Sequence, residues 1–219
     1  MSVKPRIVPL GDSSALVQWG DEIDLSINQK VHALAGLIDS SPLEGIVETV
    51  PAYSTLLIHY DPLILTFTKI KEHLSMKLGR LQEVLSREAR QIEVPVQYDG
   101  TYGVDLEFVA SHCKLTVEEV VRIHSEGTYT VFMMGFTPGY PYMGKLDDRL
   151  ITPRMDAPRT RVPAGTVAIA GSQTGIYPID SPGGWRLIGY TSLKLFDPDA
   201  DVPFLFSPGD RVRFIPERS

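Results

Sequence analysis

Glycine and proline crowd one stretch of this chain. The 55 residues from Gly135 to Gly189 hold nine glycines and seven prolines, against five of each in residues 1–90. Proline has no N–H for a central strand or a helix interior, and glycine weakens both, so this stretch cannot be built from long helices. Short strands joined by tight turns accommodate it. The chain therefore reads as two domains, residues 1–90 and 91–219. The division is structural, since acidic residues outnumber basic ones in both parts.

In the first part, Ile7–Leu10 and Ala15–Trp19 flank the turn formers Gly11-Asp12-Ser13-Ser14 and read as a hairpin. Ile27, Val31, Leu34, Ala35 and Ile38 recur at helical spacing, and Ser26 with Gln29 has the form of a capping box. Ile46–Pro51 and Thr55–Tyr60 form a second β pair. Ile70, Leu74, Leu78, Leu81 and Leu85 make the apolar stripe of a second helix. With Gln91–Val96 as a returning strand, the order ββαββα predicts an α+β ferredoxin-like sandwich.

Beyond residue 100, Asp105–His112 and Thr116–His124 read as short helices, the second opened by a Thr116…Glu119 capping box. No helix is expected after them. Tyr129–Phe136, Thr166–Ala170, Arg186–Gly189, Ser192–Phe196 and Arg211–Ile215 are short β runs between Gly/Pro turns, which predicts a mostly-β sandwich or partly closed barrel.

Composition narrows the function. At 43% hydrophobic and 22% charged residues the chain has the makeup of a globular protein, and its net charge of −6 argues against a nucleic-acid backbone as ligand. No stretch approaches the roughly 18 apolar residues of a membrane span, and the N-terminus lacks the apolar run of a secretory signal, so a cytoplasmic protein is expected. Cys113 is the single cysteine, which leaves no internal disulfide and no cysteine-rich metal site; it is expected to be buried and inert. The histidines show no His-Glu-x-x-His pattern, and neither Gly-x-x-x-x-Gly-Lys-Ser/Thr nor Gly-x-Gly-x-x-Gly occurs. No metal is expected.

Several features could carry recognition. Gly135-Phe-Thr-Pro-Gly-Tyr-Pro-Tyr-Met-Gly144 gathers Phe136, Tyr140 and Tyr142 on a constrained loop, either a binding rim or a rigid barrel corner. Trp185, in Asp180-Ser-Pro-Gly-Gly-Trp185, reads first as core. Arg154, Arg159 and Arg161 could each fork a carboxylate or phosphate, or pair with Asp147, Asp148 and Asp156 on a solvated face. Gly171-Ser-Gln-Thr-Gly-Ile-Tyr177 could hold a small amide, or be a polar turn. Between Gly135 and Gly189 there is no His, Cys or Glu, so a self-sufficient catalytic set is absent there and the catalytic residue is left unassigned. His124 reads as a structural histidine before a base.

These motifs, together with Thr152-Pro-Arg, Pro158-Arg, Val162-Pro-Ala-Gly-Thr-Val167 and Ile188-Gly-Tyr-Thr191, closely resemble the allophanate hydrolase subunit 1 family, in order through most of residues 90–215. The resemblance implies a cyclophilin-like β-barrel for the second part. It also implies the role of the B subunit in an ATP-dependent 5-oxoprolinase, which opens 5-oxoproline to glutamate together with an A subunit and a C subunit, the latter of related fold. On that reading ATP is handled elsewhere in the complex, this chain binds no cofactor and is inactive alone, and Arg154, Arg159, Gln173, Thr174 and Tyr177 are candidates for the substrate carboxylate and lactam amide. Phe136, Tyr140, Tyr142 and Trp185 are the candidate partner-binding rim. Other family members inhibit a sporulation sensor histidine kinase, which gives the alternative role of binding a kinase's dimerisation helices. Fold does not give function, and nothing here assigns prolyl isomerase activity.

Overall fold

Residues 4–81 and 89–217 are described by the computed structural model. The chain divides into two units, Met1–Glu88 and Ala89–Ser219.

In the first unit β1 (Arg6–Pro9) and β2 (Ser14–Gln18) pair antiparallel across the expected turn, as do β3 (Ile46–Pro51) and β4 (Thr55–Tyr60). The four strands run in the order β1-β2-β4-β3. Alternation along β4 buries Leu56, Ile58 and Tyr60 on one face. That face shares a core with α1 (Leu25–Asp39) and α2 (Phe67–Gly79) through Val31, Leu34, Ile38, Ile70 and Leu74. Truncating a side chain such as Leu34 to Ala costs about 2–5 kcal/mol in a core of this kind.

Asp24, not Ser26, caps α1. Its Oδ1 accepts the Ile27 N–H at 2.9 Å and the Ser26 hydroxyl at 2.6 Å, because a carboxylate satisfies the free N–H groups of the first turn and is favoured by the helix dipole. The opposite end of α1 receives a cation: the buried Lys77 donates to the Leu37 carbonyl at 2.9 Å. Of the α2 stripe, Ile70, Leu74 and Leu81 are buried and Leu78 is partly so, while Leu85 lies outside the described residues.

Gln91–Val96 does not return to this sheet. It forms β5 in the second unit, paired in parallel with β13 (Arg211–Pro216) along all six residues. Its fully buried Val94 and Val96 share a core with Val212 and Phe214, and most of the second unit serves as the long crossover that a parallel pair requires. In the first sheet, β1 holds the edge beside β2.

Between these two strands come α3 (Leu106–Cys113), α4 (Val117–Glu126), β6 (Tyr129–Met134), β7 (Pro141–Gly144), β8 (Arg159–Val162), β9 (Thr166–Ala170), β10 (Gln173–Ile176), β11 (Ser181–Gly183) and β12 (Arg186–Tyr190). The α4 capping box has both of its bonds, Thr116 to Glu119 and back. Seven strands form one mixed sheet in the order β12-β9-β10-β7-β6-β13-β5. Its ends approach each other at Gln97 and Tyr190, which exchange N–H···O bonds of 2.8 and 3.0 Å, so the sheet is a nearly closed barrel. Inside lie Val131, Met143, Val167, Ile169, Ile176, Ile188 and Phe214. β8 and β11 form a separate two-stranded ribbon.

Two expectations change here. Ser192–Phe196 is not a strand: the Leu193 N–H turns back onto Thr191 Oγ1, and Phe196 meets only Phe204 in an isolated bridge. Conversely, β7, β8, β10 and β11 went unread because three of them carry Gly or Pro and β8 is only four residues long. A short 3-10 turn at Asp148–Leu150 also follows the helices.

Candidate functional site

The Gly/Pro-rich segments fold over the outside of the barrel wall. Alternation along β10 sends Thr174 and Ile176 toward the barrel core and leaves Gln173 and Gly175 on the other face, opposite Ala170, Ala168 and Tyr142 of the flanking strands. On that face Tyr140, Val162, Ala168, Ala170, Tyr177, Trp185 and Leu187 form a second core, with Tyr142 packed against it. The rings lock edge to face: Tyr140 lies 5.2 Å from Tyr177 and 5.9 Å from Trp185, and Tyr142 lies 5.9 Å from Trp185. Glycine is required where these rings pass the backbone. A Cβ at Gly175 would sit 2.7 Å from the Tyr140 hydroxyl oxygen, and one at Gly183 would sit 2.2 Å from that of Tyr177.

Arginines border this cluster. The Arg154 guanidinium lies 5.8 Å from the centre of the Trp185 ring, and Arg159 donates to Asp105 at 2.9 Å. Burial raises the phenol pKa of both Tyr142 and Tyr177, which keeps their hydroxyls protonated; the Trp185 N–H opposes this at Tyr177, and Arg154 opposes it at both. Tyr140, Tyr177 and Trp185 are core, and the half-buried Tyr142 is the ring of this cluster that reaches solvent beside the arginines.

The candidates read from the sequence divide accordingly. Arg154, Arg159 and Tyr177 belong to this cluster, and Gln173 shares its face of β10. Thr174 does not: it is fully buried, donates to the Ala168 carbonyl at 3.2 Å and pairs with His124 inside the barrel. Of the rim residues, Phe136 is exposed at 62%, whereas Tyr140 and Trp185 are buried because they pack each other, and Tyr142 is half-buried. Phe136 adopts a φ of 66°, which places a large ring in the left-handed region outside the Tyr140 edge.

His124 is fully buried and its pKa is driven down to about 3 by desolvation, so it is a neutral structural group. Cys113 is half-buried with its sulfur 3.5 Å from Thr152 Oγ1. The carboxylates near the arginines in sequence serve others: Asp147 pairs with Arg149 and Asp148 with Lys145, while Asp180 takes Arg161. Among the described residues no group of three or more His, Cys, Asp and Glu could hold a metal ion. Two charged groups beside Arg159 carry no signal in the sequence: Asp105, which accepts from it at 2.9 Å, and Arg186, whose Nη1 lies 4.0 Å from Asp105 Oδ1. Asp105 opens α3 and is 82 positions from its partner Leu187 in β12, a separation that no local pattern signals.

The nearly closed mixed barrel has known counterparts. The model for the carboxyltransferase domain, subdomains C and D, matches residues 5–206, and the chain belongs to that family. Within it, the chain is 41% identical over 225 residues to a Bacillus subtilis (strain 168) protein named as the B subunit of 5-oxoprolinase, covering 98% of this chain and 94% of that protein. A crystal structure of TTHA0988 superposes with a TM-score of 0.82 at 39% identity, covering 94% of this chain and 40% of that one. Urea carboxylase of Kluyveromyces lactis shares the fold, with a TM-score of 0.78 at 22% identity over 98% of this chain and 22% of its own.

Proposed function

We propose that this chain is the B subunit of an ATP-dependent 5-oxoprolinase. The observation that carries this is 41% identity to a protein of that name along nearly the whole of both chains. In this reading an A subunit and a C subunit complete the enzyme in the cytoplasm, and ATP is used on one of those partners. The absence of either nucleotide-binding sequence motif supports that assignment. The substrate carboxylate meets Arg159, and Arg154, over the Trp185 ring, adds positive charge at the edge of the same cluster. Its lactam ring lies against the half-buried Tyr142, and the Gln173 amide, on the same side of β10, is the candidate to meet the lactam. Phe136 is the part of the rim that faces a partner, since it is the ring left exposed on that loop. We read the barrel as cyclophilin-like, and the first unit as a ferredoxin-like sandwich whose edge is filled by β1.

Complementation tests this reading. A bacterium whose own B-subunit gene is deleted should regain growth on 5-oxoproline as nitrogen source when this chain is expressed. Failure to grow, with the chain present in soluble form alongside the host's A and C subunits, would reject it.

A further inference from the structure

Beside Trp185, two guanidinium groups meet one carboxylate. Asp105 Oδ1 accepts from Arg159 Nη2 at 2.9 Å and lies 4.0 Å from Arg186 Nη1, while Asp105 Oδ2 accepts the Leu187 N–H at 2.7 Å. Among the described residues the ion pairs of Arg159 and Arg186 both end on Asp105, with the three side chains 26%, 14% and 9% exposed. Guanidinium stays ionised at any physiological pH, so positive charge exceeds negative in a place largely removed from water. Such an excess is costly unless an anion joins it.

The guanidinium groups are also held in place. Arg186 lies 3.6 Å from the Phe108 ring centre and gives its Nε to the Pro153 carbonyl at 3.2 Å; Arg159 contacts Met155 Sδ and the Trp185 carbonyl through Nη1. Each guanidinium carries five N–H donors, and these contacts leave donors on both for a ligand. We infer that Arg159 and Arg186 form a binding site for a ligand carboxylate, with Asp105 as the positioning residue that fixes both arginines. The neighbouring rings are already covered, Phe108 by Arg186 and His112 and Trp185 by Tyr140 and Tyr142, so the guanidinium forks select the ligand. Taking that carboxylate to be 5-oxoproline's rests on the function proposed above; the anion site does not.

The test titrates the purified chain and the assembled enzyme with 5-oxoproline, acetate and inorganic phosphate, by calorimetry and by the NMR signals of the arginine Nε–H groups. Arg186→Met should weaken 5-oxoproline binding roughly ten- to hundredfold, the worth of a lost charge-assisted bond. Arg186→Lys, which keeps the charge and loses the fork, should lie between and carries the test if the methionine variant does not fold. In the assembled enzyme Asp105→Asn should raise KM for 5-oxoproline more than it lowers kcat, a split that a purely structural role would not give. Unchanged binding in both Arg186 variants would overturn the inference, as would phosphate binding more tightly than the carboxylates or no carboxylate binding by the wild type. Assembly lost while 5-oxoproline binding persists would reassign the pair to a partner's acidic side chain. If the chain proves dispensable for 5-oxoprolinase activity, the proposed function falls and the acetate titration still decides the site.

Discussion

His124 Nε2 lies 2.9 Å from Thr174 Oγ1, joining the last turn of α4 to β10 across 50 positions of sequence inside the barrel. Because the Thr174 hydroxyl donates to the Ala168 carbonyl, it accepts from Nε2–H, which leaves Nδ1 to accept the Tyr98 hydroxyl at 2.7 Å. The network is satisfied by a neutral imidazole alone, and burial lowers the His124 pKa from 6.5 to about 3. Between those values the unfolded chain takes up a proton that the folded chain refuses, so stability is complete above about pH 6.5 and declines as pH falls toward 3. The loss is on the order of 5 kcal/mol over that range. Urea unfolding from pH 7 to 4 should show it, with a shallower decline in His124→Gln; equal slopes would exclude His124 as the cause.

Gly165 and Gly171 separate conformational strain from collision. Both have positive φ, 83° and 56°, but a Cβ at Gly165 would lie 2.2 Å from the Thr191 carbonyl oxygen, whereas one at Gly171 would meet nothing within 4 Å. Gly171→Ala should cost about 1–2 kcal/mol, the left-handed penalty alone. Gly165→Ala should cost clearly more, since backbone must move. Thermal unfolding of the two variants checks the order, and similar melting temperatures would contradict it.

Phe136 couples strain to exposure. A non-glycine residue at φ 66° with 62% of its surface in solvent, touching its own fold at the Tyr140 edge, supports the proposal that this ring faces a partner. Phe136→Gly should leave the melting temperature unchanged or raise it, by relief of about 1 kcal/mol of backbone strain, while weakening association with the C subunit. Size-exclusion and melting experiments on the same variant check both halves. A sharply destabilised variant that still associates would show that Phe136 is structural.

Legibility from sequence followed contact distance along the chain. The α4 capping box and the hairpins of the first unit were readable because their signals lie within a few residues: Thr116 with Glu119, or Gly11-Asp12 between two apolar runs. The fate of Gln91–Val96 was not, because its pattern of buried valines serves either sheet and its partner β13 lies 120 positions away. Arg154, Arg159 and Tyr177 stand out in the sequence by chemical type alone, and the fold places all three around Trp185. Thr174 was misjudged because strand alternation, invisible within the glycine-rich β10, turns it to the opposite face from Gln173. Asp105 was missed because its importance arises only where α3 meets β12.

The most direct measurement is ATP hydrolysis dependent on 5-oxoproline by the purified A and C subunits, with and without this chain. Turnover is expected only when the chain is present, with glutamate formed in step with ADP. Equal turnover without it, in a mixture where the chain demonstrably joins the complex, would contradict the proposed function, and the Phe136 surface would then have to be tested as an inhibitor of histidine kinase autophosphorylation.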